Sequence, residues 1–178
     1  MLSKQSIKIV EKVIKSANKN KCGACFDGLI IRNNIQYASD KVRLLQIFNH
    51  IDDVPYASDQ IKSFDVEALI TNIIIDNRFE GEVIPLEKFR IEEINQKVKE
   101  ISKEDKMPLV RIGTKYYNWN YLLDGLKFLG LPEEVTVYHG QRFGSGLLLE
   151  NKNIGRYLLM EVRPRNIDEL PILADLIY

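Results

Sequence analysis

The fold is decided by four consecutive segments, NWNYLLDGLKFLG (118–130), EVTVYHG (134–140), SGLLLE (145–150) and GRYLLMEVRP (155–164). The first has helical apolar periodicity, with Asn118 as the predicted N-cap and Gly130 as the predicted end. The others are short apolar runs separated by Gly and Asn, which is typical of strands joined by turns. A helix followed by three strands is therefore predicted.

The beginning of the chain repeats this order without repeating the letters. From Ser3 to about Asn20 the apolar residues recur with helical spacing, which predicts an amphipathic helix. Residues 24–50 contain short β-branched and aromatic runs, with turn signals at Asn33-Asn34 and Ser39-Asp40. Three strands in meander order are predicted there.

The middle of the chain is less regular. Residues 50–65 are polar and predict a connection, and residues 65–76 predict a strand pair or one long strand. After Pro85 comes a second amphipathic helix, with its apolar face at Ile91, Ile94, Val98 and Ile101. One strand is predicted at MPLVRIGTKYY (107–117). Two β-α-β-β-β halves indicate an α+β fold with antiparallel sheets and the helices together on one side.

Composition limits the function classes. The 178 residues are 45% apolar, enough for a self-sufficient core, and 25 basic residues balance 25 acidic ones. No global field attracts nucleic acid, so any charge-based function must come from local distribution. The N-terminus has lysines within its apolar periodicity, unlike a signal peptide, and no run long enough to span a membrane follows. We expect a cytoplasmic protein.

The sequence offers no catalytic or metal-binding constellation. Cys22 and Cys25 follow a helix instead of opening one, so a structural role is favoured over a redox motif. His50 and His139 are isolated, and their spacings to the cysteines do not fit a zinc site. The glycines of 140–146 lack the ending of a phosphate loop. We therefore expect no enzyme activity, no cofactor and no metal.

Residues at specific positions give the chain a resemblance to a known family. YYNWNYLLDGLKFLG (116–130) and the three segments after it resemble the closing half-domain of bacterial sliding clamps, the β subunit of DNA polymerase III. The matching helix positions are Asn118, Tyr121, Leu122, Leu123, Asp124 and Leu126. ITNIIIDNRFEGEVIP (70–85) is similar to a second clamp segment, matched at Asp76, Arg78, Phe79, Val83, Ile84 and Pro85. The strands that clamps have between the following helix and Leu109 are missing.

The resemblance implies a DNA-clamp-like fold over residues 1–164, as one compact domain or one and a half compact clamp repeats, with 165–178 as a C-terminal extension. It implies a DNA-replication processivity factor that contacts duplex DNA without base readout and assembles as a homo-oligomer. It also implies an apolar groove for polymerase or other replication proteins at Leu158, Met160, Val162, Arg163 and Pro164. Here Glu161 replaces the usual Pro. The alternative is a clamp-related interaction module that regulates replication proteins without encircling DNA.

The first helix carries a lysine stripe. At about 100° per residue, five lysines fall in one narrow arc opposite the apolar residues, namely Lys4, Lys8, Lys12, Lys15 and Lys19. Such a stripe is either a solvated face or a phosphate-binding face. Clamps turn their helices toward DNA, so the resemblance implies DNA contact by these lysines, joined by Asn120 and Lys127 of the third helix.

Overall fold

The protein has an α+β architecture, as predicted. A computed structural model describes residues 2–20, 26–57, 81–101, 107–139, 146–163 and 171–176. The helices within these ranges are α1 (Lys4–Asn20), α2 (Ile91–Ile101) and α3 (Trp119–Phe128), and a 3₁₀ turn at Leu86–Phe89 precedes α2.

The strands of the described residues form two sheets. The larger has seven strands in the order β1-β2-β3-β9-β8-β7-β4, and the smaller has three in the order β10-β5-β6. Their bounds are β1 (Ile30–Arg32), β2 (Ile35–Ser39), β3 (Arg43–Ile47), β4 (Glu82–Pro85), β5 (Leu109–Ile112), β6 (Lys115–Asn118), β7 (Glu134–His139), β8 (Leu147–Asn151), β9 (Gly155–Leu159) and β10 (Ile172–Leu176).

The first half of the fold follows its local signals. The Ser6 amide donates to the Ser3 hydroxyl at 3.0 Å, which caps the start of α1. Asn33 and Asn34 both adopt positive φ between β1 and β2, the conformation of a two-residue hairpin turn. The predicted helix and three-stranded meander are confirmed.

The second half is confirmed in the same way. The Asn118 side chain accepts hydrogen bonds from the amides of Asn120 and Tyr121, so it is the N-cap of α3. Gly130, at φ +83°, ends the helix, and its amide and that of Leu131 donate back to the last-turn carbonyls. The strands β7, β8 and β9 follow, as an antiparallel meander.

The two halves meet at the centre of the large sheet. The third strands β3 and β9 pair antiparallel, with Leu45 directly opposite Tyr157. Helices α1 and α3 contact each other and cover the same face of this sheet, above a core that includes Val10, Leu122 and Leu149. The prediction that helices share one side thus holds for α1 and α3. Helix α2 instead contacts β10 of the small sheet.

Three predictions of detail need correction or extension. Residues 107–117 were predicted as one strand but form part of a hairpin, because Gly113 at φ +58° turns the chain between β5 and β6. The sheets are antiparallel except that β10 pairs parallel with β5. Strand β10 lies within 165–178, predicted only as an extension, and it buries Leu173, Ala174 and Leu176.

Some predictions concern residues outside the described ranges. These are the strand at 65–76, the clamp-like positions Asp76, Arg78 and Phe79, the cysteines Cys22 and Cys25, most of the 140–146 turn, and Pro164. The other positions of the second clamp-like segment, Val83, Ile84 and Pro85, lie in β4 at the edge of the large sheet.

Candidate nucleic-acid interface

The lysine stripe lies on the outward face of α1. All five lysines are exposed, whereas Val10, Val13 and Ala17 on the opposite face are buried against the core. Within the described part of the chain, salt bridges from the stripe are made by Lys12 alone. The other four ammonium groups, at Lys4, Lys8, Lys15 and Lys19, therefore face solvent without a described counter-charge. Glu11 is also exposed on this helix.

The polar side of α3 lies next to the stripe. Asn120 is exposed and Lys127 is half-buried, and both are on the same helical face as Asp124. The Lys12 ammonium lies 2.7 Å from Asp124 Oδ2, so this ion pair connects the two helices. The structure thus brings the predicted DNA-contacting residues onto two adjacent helices, with most of the positive charge on α1.

A buried charge cluster, which no local sequence pattern predicted, lies beneath the helix pair. Arg43, at the start of β3, donates from Nε and Nη2 to Asp40 Oδ2 at 2.9 and 2.5 Å and from Nη1 to Asp124 Oδ2 at 2.8 Å. Its guanidinium also stacks 4.3 Å from the centroid of the Tyr121 ring. We call Asp40, Arg43, Asp124 and Lys12 the junction cluster.

Burial and neighbouring charges have opposite effects on the pKa of the central arginine of the junction cluster. Burial lowers the pKa of Arg43, but the hydrogen bond to Asp40 and the neighbouring carboxylates outweigh it and raise that pKa above its usual value. Burial raises the pKa of Tyr157 well above the usual range, although Arg43 acts against this shift. Tyr157 donates its hydroxyl hydrogen to the Tyr121 carbonyl at 2.7 Å. Arg43 is therefore charged and Tyr157 neutral at ordinary pH.

One sequence signal for the junction cluster was available. Asp124 interrupts an otherwise apolar stretch of α3, where seven of the ten residues are buried. A carboxylate in such a position needs a cationic partner. The partner itself was not deducible, since Arg43 lies 81 residues away in the chain.

Of the residues predicted to line a partner groove, Leu158 and Met160 lie on the opposite face of the large sheet. Leu158 is buried there in a cluster with Phe26, Tyr37, Leu44 and Leu148, and the half-buried Met160 packs against it. The amide of Val162 instead donates to Tyr116 of the small sheet at 2.8 Å. Arg163 is exposed and pairs with Glu161 at 2.6 Å.

This opposite face also carries a polar row that crosses four strands. Gln46 donates to the Tyr37 hydroxyl at 3.0 Å, and Arg156 donates to Gln46 Oε1 at 3.3 Å. Arg156 also pairs with Glu150, whose side chain is 4% exposed. These side-chain bonds connect β2, β3, β9 and β8. The charged groups of this row are therefore paired with each other on the face opposite the helices.

The histidines remain apart in the structure. His50 Nε2 lies 3.0 Å from Asp52 Oδ1 on the surface, and His139 ends β7, where burial lowers its pKa. Among the described residues, no group of three or more His, Cys, Asp or Glu could hold a metal ion. The helices in those ranges are too short or too polar to cross a membrane.

Comparisons with known proteins give no identification. The chain matches no family model, and neither the curated proteins nor the solved structures contain a significant match.

Proposed function

We propose that this protein is a sliding-clamp-like processivity factor of DNA replication, which contacts duplex DNA without base readout through the outward face of α1 and α3. The observation that carries the proposal is the exposed lysine stripe on a helix whose other face is anchored in the core. Lysine contacts to phosphate provide affinity and register without reading sequence.

The position of the lysines supports phosphate contact. Lys4 and Lys19 are separated by about 22 Å along the helix axis, given a rise of about 1.5 Å per residue. A DNA strand carries one charge per about 3.4 Å of axis, so the stripe is long enough to meet several phosphates. The chain as a whole has no net charge. Attraction to DNA must therefore come from local charge, and the stripe places five lysines on one face.

The arrangement of the halves supports the clamp-like form of the proposal. In each half a helix is followed by a three-stranded meander, and α1 and α3 lie side by side on one sheet. Clamp rings turn twelve helices toward DNA. A chain that contributes two such helices closes a ring with six copies, whose native mass is about six times the chain mass of 20.6 kDa.

Salt dependence of DNA binding tests the interface. Each phosphate contact contributes about −0.9 to the slope of log K against log salt. Replacing Lys8, Lys15 and Lys19 with Gln should flatten this slope by about 2.7 and leave the fold intact, because the apolar face is unchanged. The matched control replaces Lys41, Lys88 and Lys152, which are exposed outside α1, with Gln. Equal losses in both triple variants would refute the stripe as the interface.

Native mass distinguishes the two proposed forms of the function. Light scattering after size exclusion, with and without a DNA duplex, should give the mass of about six chains for a processivity factor. A protein that stays at the mass of one chain in both conditions supports the alternative, a clamp-related module that regulates replication proteins without encircling DNA.

Partner binding is proposed at Met160, beside the buried Leu158. The flexible thioether of a half-buried methionine suits a surface that adapts to short peptides. A fluorescence titration with a clamp-binding peptide should show binding that Met160→Ala weakens. Met107→Ala is the matched control, since Met107 is exposed elsewhere. Identical affinity in the wild type and both variants contradicts this site.

A further inference from the structure

Lys12 differs from the other four lysines of the stripe. Its ammonium lies 2.9 Å from Asp124 Oδ1 and 2.7 Å from Oδ2, and about half of its side chain is exposed. The other four lysines are exposed and make no ion pair with described residues. The five lysines therefore share a face but not an environment.

The charge balance of the junction cluster depends on Lys12. Side chains of Asp40 and Arg43 are 2% exposed and that of Asp124 is 7% exposed. These three groups alone carry two negative charges and one positive charge. A buried carboxylate without a counter-charge is strongly unfavourable. The ammonium of Lys12 brings the sum to zero, and it reaches Asp124 from the solvent side.

We propose that Lys12 is a positioning residue that neutralises the junction cluster and fixes α1 against α3, while Lys4, Lys8, Lys15 and Lys19 make the phosphate contacts. The part of this inference that concerns phosphates rests on the proposed DNA contact. The part that concerns charge balance rests only on the contacts within the chain. Four contacts predict a salt slope of about −3.6 per copy, whereas five predict about −4.5.

A double-mutant cycle tests the charge balance. Lys12→Met should raise the unfolding equilibrium constant about three- to tenfold in urea titrations, because it leaves the cluster with a net negative charge. In an Asp124→Asn background the same change should have little effect, since Arg43 and Asp40 then balance each other. Lys12→Arg should restore stability. Lys15→Met, in the same helix, is the matched control and should change the constant less than twofold.

The double-mutant cycle can also contradict the inference. If Lys12→Met and Lys15→Met have the same effect on unfolding, Lys12 does not balance the cluster and the inference is wrong. If Asp124→Asn does not fold, the comparison of Lys12→Met, Lys12→Arg and Lys15→Met still decides the point.

Measurements of DNA binding distinguish a positioning role of Lys12 from a direct contact of Lys12 with phosphate. Lys12→Met should weaken binding to a DNA duplex by a similar factor at every salt concentration and keep the wild-type slope, because α1 shifts while its four contacts remain. Lys15→Met should flatten the slope by about 0.9. Equal flattening in both variants overturns the assignment of Lys12. If the wild type does not bind DNA even at low salt, the proposed function fails. The role of Lys12 in charge balance is then tested by the unfolding measurements alone.

Discussion

The two halves of the large sheet have the same order of elements but different surfaces. Helix α1 buries one face and turns five lysines outward, whereas α3 buries seven of its ten residues and leaves Asn120 exposed. One helix thus presents charge to solvent and the other fills the core. A repeated arrangement of elements therefore does not imply repeated function, because each helix face is set by its own residues.

The halves also differ where they meet. Leu45 of the first half and Tyr157 of the second lie directly opposite each other on β3 and β9, and only the tyrosine brings a polar group into the core. The junction cluster draws from both halves, since Arg43 begins β3 and Asp124 belongs to α3. The contact between the halves is therefore electrostatic as well as apolar.

The largest effect should come from breaking this electrostatic contact. Arg43→Leu leaves the buried Asp40 without its cationic partner and Asp124 with Lys12 alone, so we expect a loss of about 3–5 kcal/mol in the free energy of unfolding. Urea titration measures it. Arg111→Leu is the control, because Arg111 pairs with Asp175 on the exposed side of the small sheet, and it should change stability little. A comparable loss in both variants contradicts a special role for the junction cluster.

A smaller effect should come from the close packing of α3 on β9. A Cβ atom on Gly125 would lie 2.5 Å from Cδ1 of the Tyr157 ring, which is fully buried. Overpacking costs about 1–3 kcal/mol, and alanine recovers at most about 1 kcal/mol of helix propensity. Gly125→Ala should therefore destabilise the protein by about 1–2 kcal/mol in urea titrations. Asn120→Ala, exposed in the same helix, should stay within about 0.5 kcal/mol. A stabilising Gly125→Ala would show that the helix can move away from Tyr157.

The smallest effect should appear only in alkali. Burial raises the pKa of Tyr157 above its usual value of 10.0, so above pH 10 the unfolded chain loses this proton while the folded chain keeps it. The contribution of this group to the free energy of unfolding is then constant below pH 10 and decreases as the pH rises above 10. Urea titrations between pH 8 and pH 11 should show a weaker alkaline loss for Tyr157→Phe than for the wild type. Tyr56→Phe, at an exposed tyrosine, is the control and should keep the wild-type pH dependence.

Local patterns predicted most of the elements that flank the candidate interface. Apolar periodicity located α1 and α3. The signals at Asn118 and Gly130 located the ends of α3, and Asn33-Asn34 located the turn between β1 and β2. These features depend on residues close in sequence. The lysine stripe was predictable for the same reason, since a helical angle needs only the helix itself.

Long-range pairing accounts for the features that local sequence patterns did not predict. The parallel pairing of β10 with β5 joins Ile172 to Leu109, and no local pattern specifies that partner. The junction cluster depends on Arg43 meeting Asp124, so its geometry exists only in the assembled fold. The β5–β6 hairpin was missed for another reason, because its two four-residue strands flank a turn of Gly113 and Thr114 within one apparent strand.

The central pairing of β3 with β9 has a consequence for folding kinetics. It joins Arg43 to Leu159 and Ile47 to Gly155, so more than 100 residues separate the paired strands. The β1–β2–β3 and β7–β8–β9 meanders pair strands that are close in sequence and can form early, whereas the pairing of β3 with β9 needs the closure of a very long loop. We therefore expect the docking of two locally formed meanders to limit the folding rate, and substitutions at the strand centres Leu45 and Tyr157 to slow folding more than those in the outer turns.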